Sequence, residues 1–341
     1  MSQSRLVSTA TTPISASMLM AERLARQALL MAPDREIHRA LFVASALAHS
    51  RYRAGWDQPQ PAGPGTAHNL ALFSGSRLTE MAQELAVRHR NTAAAESAAT
   101  ILGQIKSRDG LRPLEGRPSS LIAALDFPNE RVQFAAALAV LQLDPQESFP
   151  RSQRVVEILA RALSSEIGPL SVIIDPNTTR AVDTASMLDR LGFNTTVART
   201  GQDGFREAVE RGDVALAVLH PNTIRWELTQ TIANLRADSR TPGIPIVVAA
   251  GDAARADMMR VLDRVPFSTF VSTEGDVPQW RSQLQPVLAQ VGVPPLTPEQ
   301  HAIRIQQAAA ALNRKAATTP THFFDLTADQ QALTAGATHP H

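Results

Sequence analysis

Few side chains in this sequence combine a type and a spacing that could do chemistry. Asp175 follows the apolar run 170–174. Its carboxylate suits either a hard cation such as Mg²⁺ or the backbone N–H groups of the next turn, and the capping or loop-binding role is the expected one. His220 follows the apolar run 214–219 and precedes Pro221-Asn222. An imidazole there could accept a phosphoryl group, act as a base or respond to pH. A polar residue closing a strand explains it more simply. The neighbours of these two residues argue against a catalytic set. Pro176 brings no side-chain oxygen, Ala250 brings no hydroxyl, and Thr273 is followed by Glu274, an acid that would repel phosphate. Asp213 stands at the opposite end of the 214–219 run from His220, more than ~20 Å away at a strand rise of about 3.3 Å per residue.

Other candidates are weaker. Gly201-Gln202-Asp203-Gly204 reads as the opening of a helix after an edge strand, not as a phosphate cradle. His301, His322, His339 and His341 match no metal-ligand spacing and read as part of a solvated tail. Arg236, Arg240 and Arg255 read as surface charges. No Ser-His-Asp arrangement and no paired carboxylates stand out. The sequence therefore predicts neither an enzyme nor a cofactor, and no metal site.

Composition narrows the class further. The 341 residues suffice for two or three domains with their own cores. Aromatics are 4% of the chain while Ala and Leu dominate the apolar set, which favours closely approaching helices. With 33 basic and 32 acidic residues, bulk charge points to no nucleic acid or acidic membrane as partner. The absence of cysteine rules out disulfides, thiol catalysis and cysteine metal clusters, and it fits a cytoplasmic protein. Residues 1–17 lack the apolar core of a signal peptide. The longest apolar stretch, 134–141, falls far short of the roughly 20 residues that span a bilayer.

The elements that must position these residues fall into segments. Residues 1–17 read as a flexible lead. Residues 18–166 carry helical periodicity, interrupted at Pro33-Asp34, by the Pro/Gly-rich stretch 56–65 and at 110–118. From 168 to 292 short apolar runs alternate with helical stretches. The strands are predicted at 170–174, 195–198, 214–219, 244–249 and 269–272, with helices between and after them. Five such alternations imply a doubly wound parallel sheet with helices on both faces, whose crevice lies at the carboxyl ends of the strands. Residues 293–341 read as a helical tail.

The stretch 119–143, SSLIAALDFPNERVQFAAALAVLQL, resembles a HEAT-type helical repeat: an apolar helix, an Asp/Asn turn capped by Asn129, then Val132 and an Ala-Ala pair. Gln133 stands where the usual repeat has Arg. The tail 293–341 is similarly an incomplete repeat, as if the chain were a shortened relative of a longer helical protein. SVIIDPN at 171–177 and LRADSRTPGIPIVVAA at 235–250 resemble a response-regulator receiver domain of the CheY-like kind. That resemblance implies a phosphorylation pocket of an acidic pair, a nucleophilic Asp, a hydroxyl and a Lys. The matching positions are Asp175, Pro176, His220, Ala250 and Thr273, so only the first acid survives. The resemblance thus implies a degenerate, non-catalytic receiver joined to helical repeats. The expected function is a scaffold for protein–protein interaction in signalling, with self-association through about 253–291, the face by which receivers commonly pair. The alternative is a working phosphorelay receiver.

Overall fold

The computed structural model describes residues 13–56, 58–112, 118–164, 168–212, 214–238, 240–290, 293–294, 296–317 and 324. The chain divides into two compact units: Met1–Ser165 together with Glu299–His341, and Glu166–Pro298.

The first unit opens with seven helices: α1 (Pro13–Met31), α2 (Glu36–Ala54), α3 (Ala67–Arg88), α4 (Thr92–Ile105), α5 (Ser120–Ala124), α6 (Glu130–Gln142) and α7 (Ser152–Ser164). Helix α1 starts at Pro13, inside the stretch expected to be a flexible lead. Proline suits a first helical position because its missing N–H has no acceptor there. Helix α3 begins at Ala67, where Thr66 caps it by accepting the N–H of Asn69, and Gly75 (φ 83) carries the chain through a break without ending the run. Asn91 and Asn129 cap α4 and α6 through their side chains. Successive helices pair, and across the pairs α2 packs on α4, α4 on α6 and α3 on α5. The α4–α6 approach is close: a Cβ on Gly103 would lie 2.9 Å from the Cα of Ala139. Ala95, Ala98 and Ala99 on α4 and Ala136 on α6 are fully buried in this layer.

The second unit alternates β1 (Leu170–Ile174), α8 (Thr178–Arg190), β2 (Asn194–Ala198), α9 (Gly201–Arg211), β3 (Val214–Leu219), α10 (Leu228–Ala237), β4 (Ile246–Ala250), α11 (Arg255–Leu262), β5 (Ser268–Ser272) and α12 (Val277–Gln290). All pairings are parallel and the strand order is β2-β1-β3-β4-β5. This is the doubly wound order of CheY-like receivers. Alternate strand residues feed two cores. Val172, Ile174, Leu219, Val248 and Phe270 face one layer, while Ile173, Val218, Val247, Val271 and Trp280 fill the other. A further helix, α13 (Pro298–Ala317), then falls within the helical unit and does not stand apart as a tail. Whether the last twenty residues complete a repeat lies outside the described residues, apart from Phe324.

One glycine fixes how tightly the sheet is covered. A Cβ on Gly204 would lie 2.3 Å from Cδ1 of Ile174, the residue just before Asp175. This is the physical content of the Gly201–Gly204 helix opening: α9 lies against β1 without an intervening side chain. Gly204→Ala is expected to destabilise the α/β unit by about 1–3 kcal/mol through overpacking, read as a lowered urea midpoint at unchanged slope.

Candidate functional site

Parallel pairing brings the ends of β1, β3, β4 and β5 to one edge. The Asp175 N–H donates to the carbonyl of Ala198, the His220 N–H to Ile174, and the Thr273 N–H to Ala250, each at 3.0 Å. Asp175, His220, Ala250 and Thr273 are therefore assembled at the carboxyl edge. Asp175 is 3% exposed and Ala250 is buried, whereas Thr273 is exposed.

The carboxylate of Asp175 is fully engaged by its own chain. Nε of Arg180 donates to Oδ2 and Nη2 donates to Oδ1, both at 2.7 Å. The N–H of Asn177 adds a third bond to Oδ1 at 2.8 Å. Such a bidentate pair combines charge with a fixed planar geometry. Local structure sets it up. Asn177 caps α8 by accepting the N–H of Arg180, which places the guanidinium within the first turn, beside the strand end. The sequence reading of Asp175 as a residue that binds the loop backbone holds for Asn177. The reading missed Arg180. The available signal was an acid at a strand end followed by an Asx cap and a basic residue in the first helical turn.

His220 is set as a hydrogen-bond acceptor. Its Nδ1 accepts the N–H of Asn222 at 3.1 Å. That places the proton of the neutral ring on Nε2. Burial pushes the imidazole below its ordinary value of 6.5, Asp175 opposes this, and Arg180 adds to it. The neutral ring thus has one nitrogen engaged by backbone and the other protonated.

A receiver-like Mg²⁺ does not fit these residues. Both Asp175 oxygens face a guanidinium, Pro176 offers no side-chain ligand, and His220 holds a backbone N–H. Among the described residues no group of three or more His, Asp or Glu side chains could hold a metal ion. Glu274, near the end of β5, accepts the N–H of Asp252 at 3.3 Å.

The remaining candidates divide. Arg240 pairs with Asp238, and Arg255 pairs with Asp252 at the surface. Arg236 is not a simple surface charge. Its guanidinium donates to the carbonyls of Ile244 and Pro266, both at 2.9 Å, and burial pushes it down to about 10. It ties α10 to the loops before β4 and β5. His301 is not solvated but buried on α13. His322, His339 and His341 lie outside the described residues. No helix among the described residues is long and apolar enough to cross a membrane.

No protein-family model matches the chain, and no curated protein is similar to it in sequence. Solved structures similar to it include receiver domains, which match over 36% of the chain. A response regulator receiver domain protein from Clostridium thermocellum shows 11% identity over 94% of its own length, at a TM-score of 0.32. The receiver domain of a sensor histidine kinase from Pseudomonas aeruginosa, described with a magnesium ion in its active-site cleft, shows 17% identity over 98% of its length, also at 0.32. A sensor protein from Polaromonas sp. shows 21% identity over 36% of this chain and 98% of its own, again at 0.32. The fold assignment rests on the sheet order and not on these likenesses.

Arg180→Ala leaves a buried carboxylate with one backbone donor. The expected loss is about 2 kcal/mol of α/β-unit stability, below the roughly 3–5 of a fully buried pair because the guanidinium is partly open to water. The double variant Asp175→Asn/Arg180→Met is expected to recover most of it in urea unfolding. A second expectation concerns pH. The folded state holds His220 below 6.5, so the unfolded chain binds more protons in that window. Stability is therefore retained above 6.5 and falls as pH drops toward the folded value. Replacing His220 with Asn should flatten the decline in unfolding midpoint between pH 7.5 and 5.

Proposed function

We propose that this protein is a non-catalytic scaffold in which a receiver-like domain and a stack of helical repeats both serve protein–protein interaction. One observation carries the reading. The acidic corner that would hold Mg²⁺ in a working receiver is clamped by Arg180, and the strand end where the nucleophile would stand holds His220 with its lone pair engaged. Phosphoryl transfer between oxygens needs a nucleophile and charges that stabilise the moving phosphoryl group. Here the one cation at the Asp175 carboxylate is already consumed by an internal partner. The domain keeps the receiver frame and serves as a docking module.

The helical unit supports the second half of the reading. The pairing of α5 with α6 around a turn capped by Asn129, and the stacking of α2, α4 and α6, are what a HEAT-like solenoid requires. Gln133, in the place of the usual Arg, donates to the carbonyl of Phe127 at 2.8 Å and so ties α6 to its own turn. Stacked repeats of this kind present extended binding faces. On the receiver-like unit, the face made by α11, β5 and α12 is the proposed self-association surface. Met259 is half exposed there, beside a cavity of about 310 Å³ lined by Leu262, Phe267 and Gln290. A cytoplasmic location fits this reading.

Incubation of the full chain with a small acyl phosphate and Mg²⁺, followed by intact mass and sedimentation analysis, tests it. The expected result is no phosphoryl adduct and an association state unchanged by the donor. An adduct on Asp175 or His220 would replace the scaffold reading with the phosphorelay one.

A further inference from the structure

Helix α1 carries apolar residues on two opposite sides. One side meets α2, its principal neighbour. Glu22 marks that direction, because its carboxylate pairs with His49 of α2. Met18, Ala25 and Leu29 lie on the same side and are buried or half-buried. At about 100° per residue, Met20, Leu24, Gln27 and Met31 lie about 140–200° around the helix from Glu22. They form the outer side, and all four are exposed. Met20, Leu24 and Met31 are 50, 61 and 81% exposed, and Leu30 beside them is 75% exposed. A surface helix normally turns polar residues outward, and the end of a helical stack normally presents a polar face. Helix α1 does neither.

The spacing of this outer stripe says what fits it. Steps of four, three and four residues from 20 to 31 are those of alternating seam positions in a two-helix coiled coil. The four positions are symmetric about the midpoint between Ala25 and Arg26. A second copy of α1, laid antiparallel across a twofold axis, sets Met20 against the other copy's Met31 and Leu24 against its Gln27. Each contact then occurs twice, as an isologous interface requires.

The flanks agree with this pairing. Ala21 and Ala28 border the stripe on one side and let two helix axes approach closely. On the other side Arg23 falls beside the other copy's Leu30, where its stem can pack while the guanidinium stays in water. The seam itself carries no charge, so nothing in it selects an acidic or basic partner. Gln27 is its one polar member. Near the axis the two copies' amides come within reach of each other, and a polar seam residue of this kind fixes register at some cost in stability. Covering Met20, Leu24, Leu30 and Met31 on both copies removes on the order of 1,000 Å² of surface, the lower end for a specific interface.

We infer that the outer face of α1 is a weak, antiparallel dimer surface for a second copy of this chain. It shares no residue with the α11–β5–α12 face, so the two surfaces stand or fall independently.

The lack of cysteine permits cross-linking without background. Full-length Met20→Cys and Met31→Cys chains, mixed and oxidised, should link position 20 to position 31 in preference to 20 to 20 or 31 to 31. The masses of the linked tryptic peptides read this out. In sedimentation, Leu24→Glu should weaken association by about tenfold or more, since it sets two carboxylates near the axis. Gln27→Leu should tighten it by about tenfold. Both positions are exposed in a single copy, so both variants should keep the parent's far-ultraviolet circular dichroism. A parent chain that sediments as a monomer at about 100 μM would overturn the inference and leave the stripe to a different protein or to another segment of this chain. So would a dimer that Leu24→Glu leaves intact. The cross-link stands by itself if Leu24→Glu does not fold: links between like positions in preference to unlike ones would overturn the antiparallel pair.

Discussion

The ion pair between Asp175 and Arg180 is the constraint on which the α/β unit's sheet edge depends. A carboxylate almost wholly withdrawn from water must be neutralised, and here the neutralising group comes from five residues further along the same chain. A metal ion or phosphate exchanges with solvent, whereas a guanidinium on a capped helix does not. The pair therefore fixes the turn between β1 and α8, holds the start of α8 to the strand, and determines the potential at His220. That imidazole receives opposite influences from the two partners, and burial decides the outcome in favour of the neutral ring. The corner at Asp175 is closed by the chain's own donors, Arg180 and the N–H of Asn177.

The same economy of contact runs through both units. Close approach is achieved with small residues where larger ones would separate the layers. Gly204 lets α9 reach Ile174, and Gly103 lets α4 reach Ala139. Ala-rich faces of α4 and α6 continue this in the helical unit, which explains how a chain with so few aromatic residues fills its cores. The larger side chains are then concentrated where they bridge elements. Trp280 is fully packed within its core, and its Nε1 donates to the carbonyl of Ser272 at 2.9 Å. Trp56 gathers arginines from α2 and α6.

Much of this was legible from the residues. The inner strands β1, β3 and β4 are nearly continuous apolar runs, the pattern that parallel strands buried on both faces leave, whereas the edge strands β2 and β5 are partly polar. The predicted fourth strand began too early, because Pro245 has no N–H for the ladder and pairing starts at Ile246. The residue types at the strand ends, from Asp175 to Thr273, were legible as well. The contacts that hold Asp175 were not. Arg180 meets Asp175 only because Asn177 caps α8 in a particular turn, and periodicity carries no such information. Arg236 looked like a surface charge because its acceptors, Ile244 and Pro266, are distant in sequence. His301 looked solvated because the Ala-rich helix that carries it gives little hint that one side is covered.

The placement of the α/β unit within the helical one has a consequence for biosynthesis. A ribosome releases α1 to α7 first and must then translate residues 166–298 before α13 exists. At about 5–20 residues per second this interval is on the order of ten seconds. Throughout it α1 to α7 are complete in sequence while α13 is not yet made. Until then the contacts that Gln300 makes with the carbonyl of Trp56 and with Arg131 cannot form.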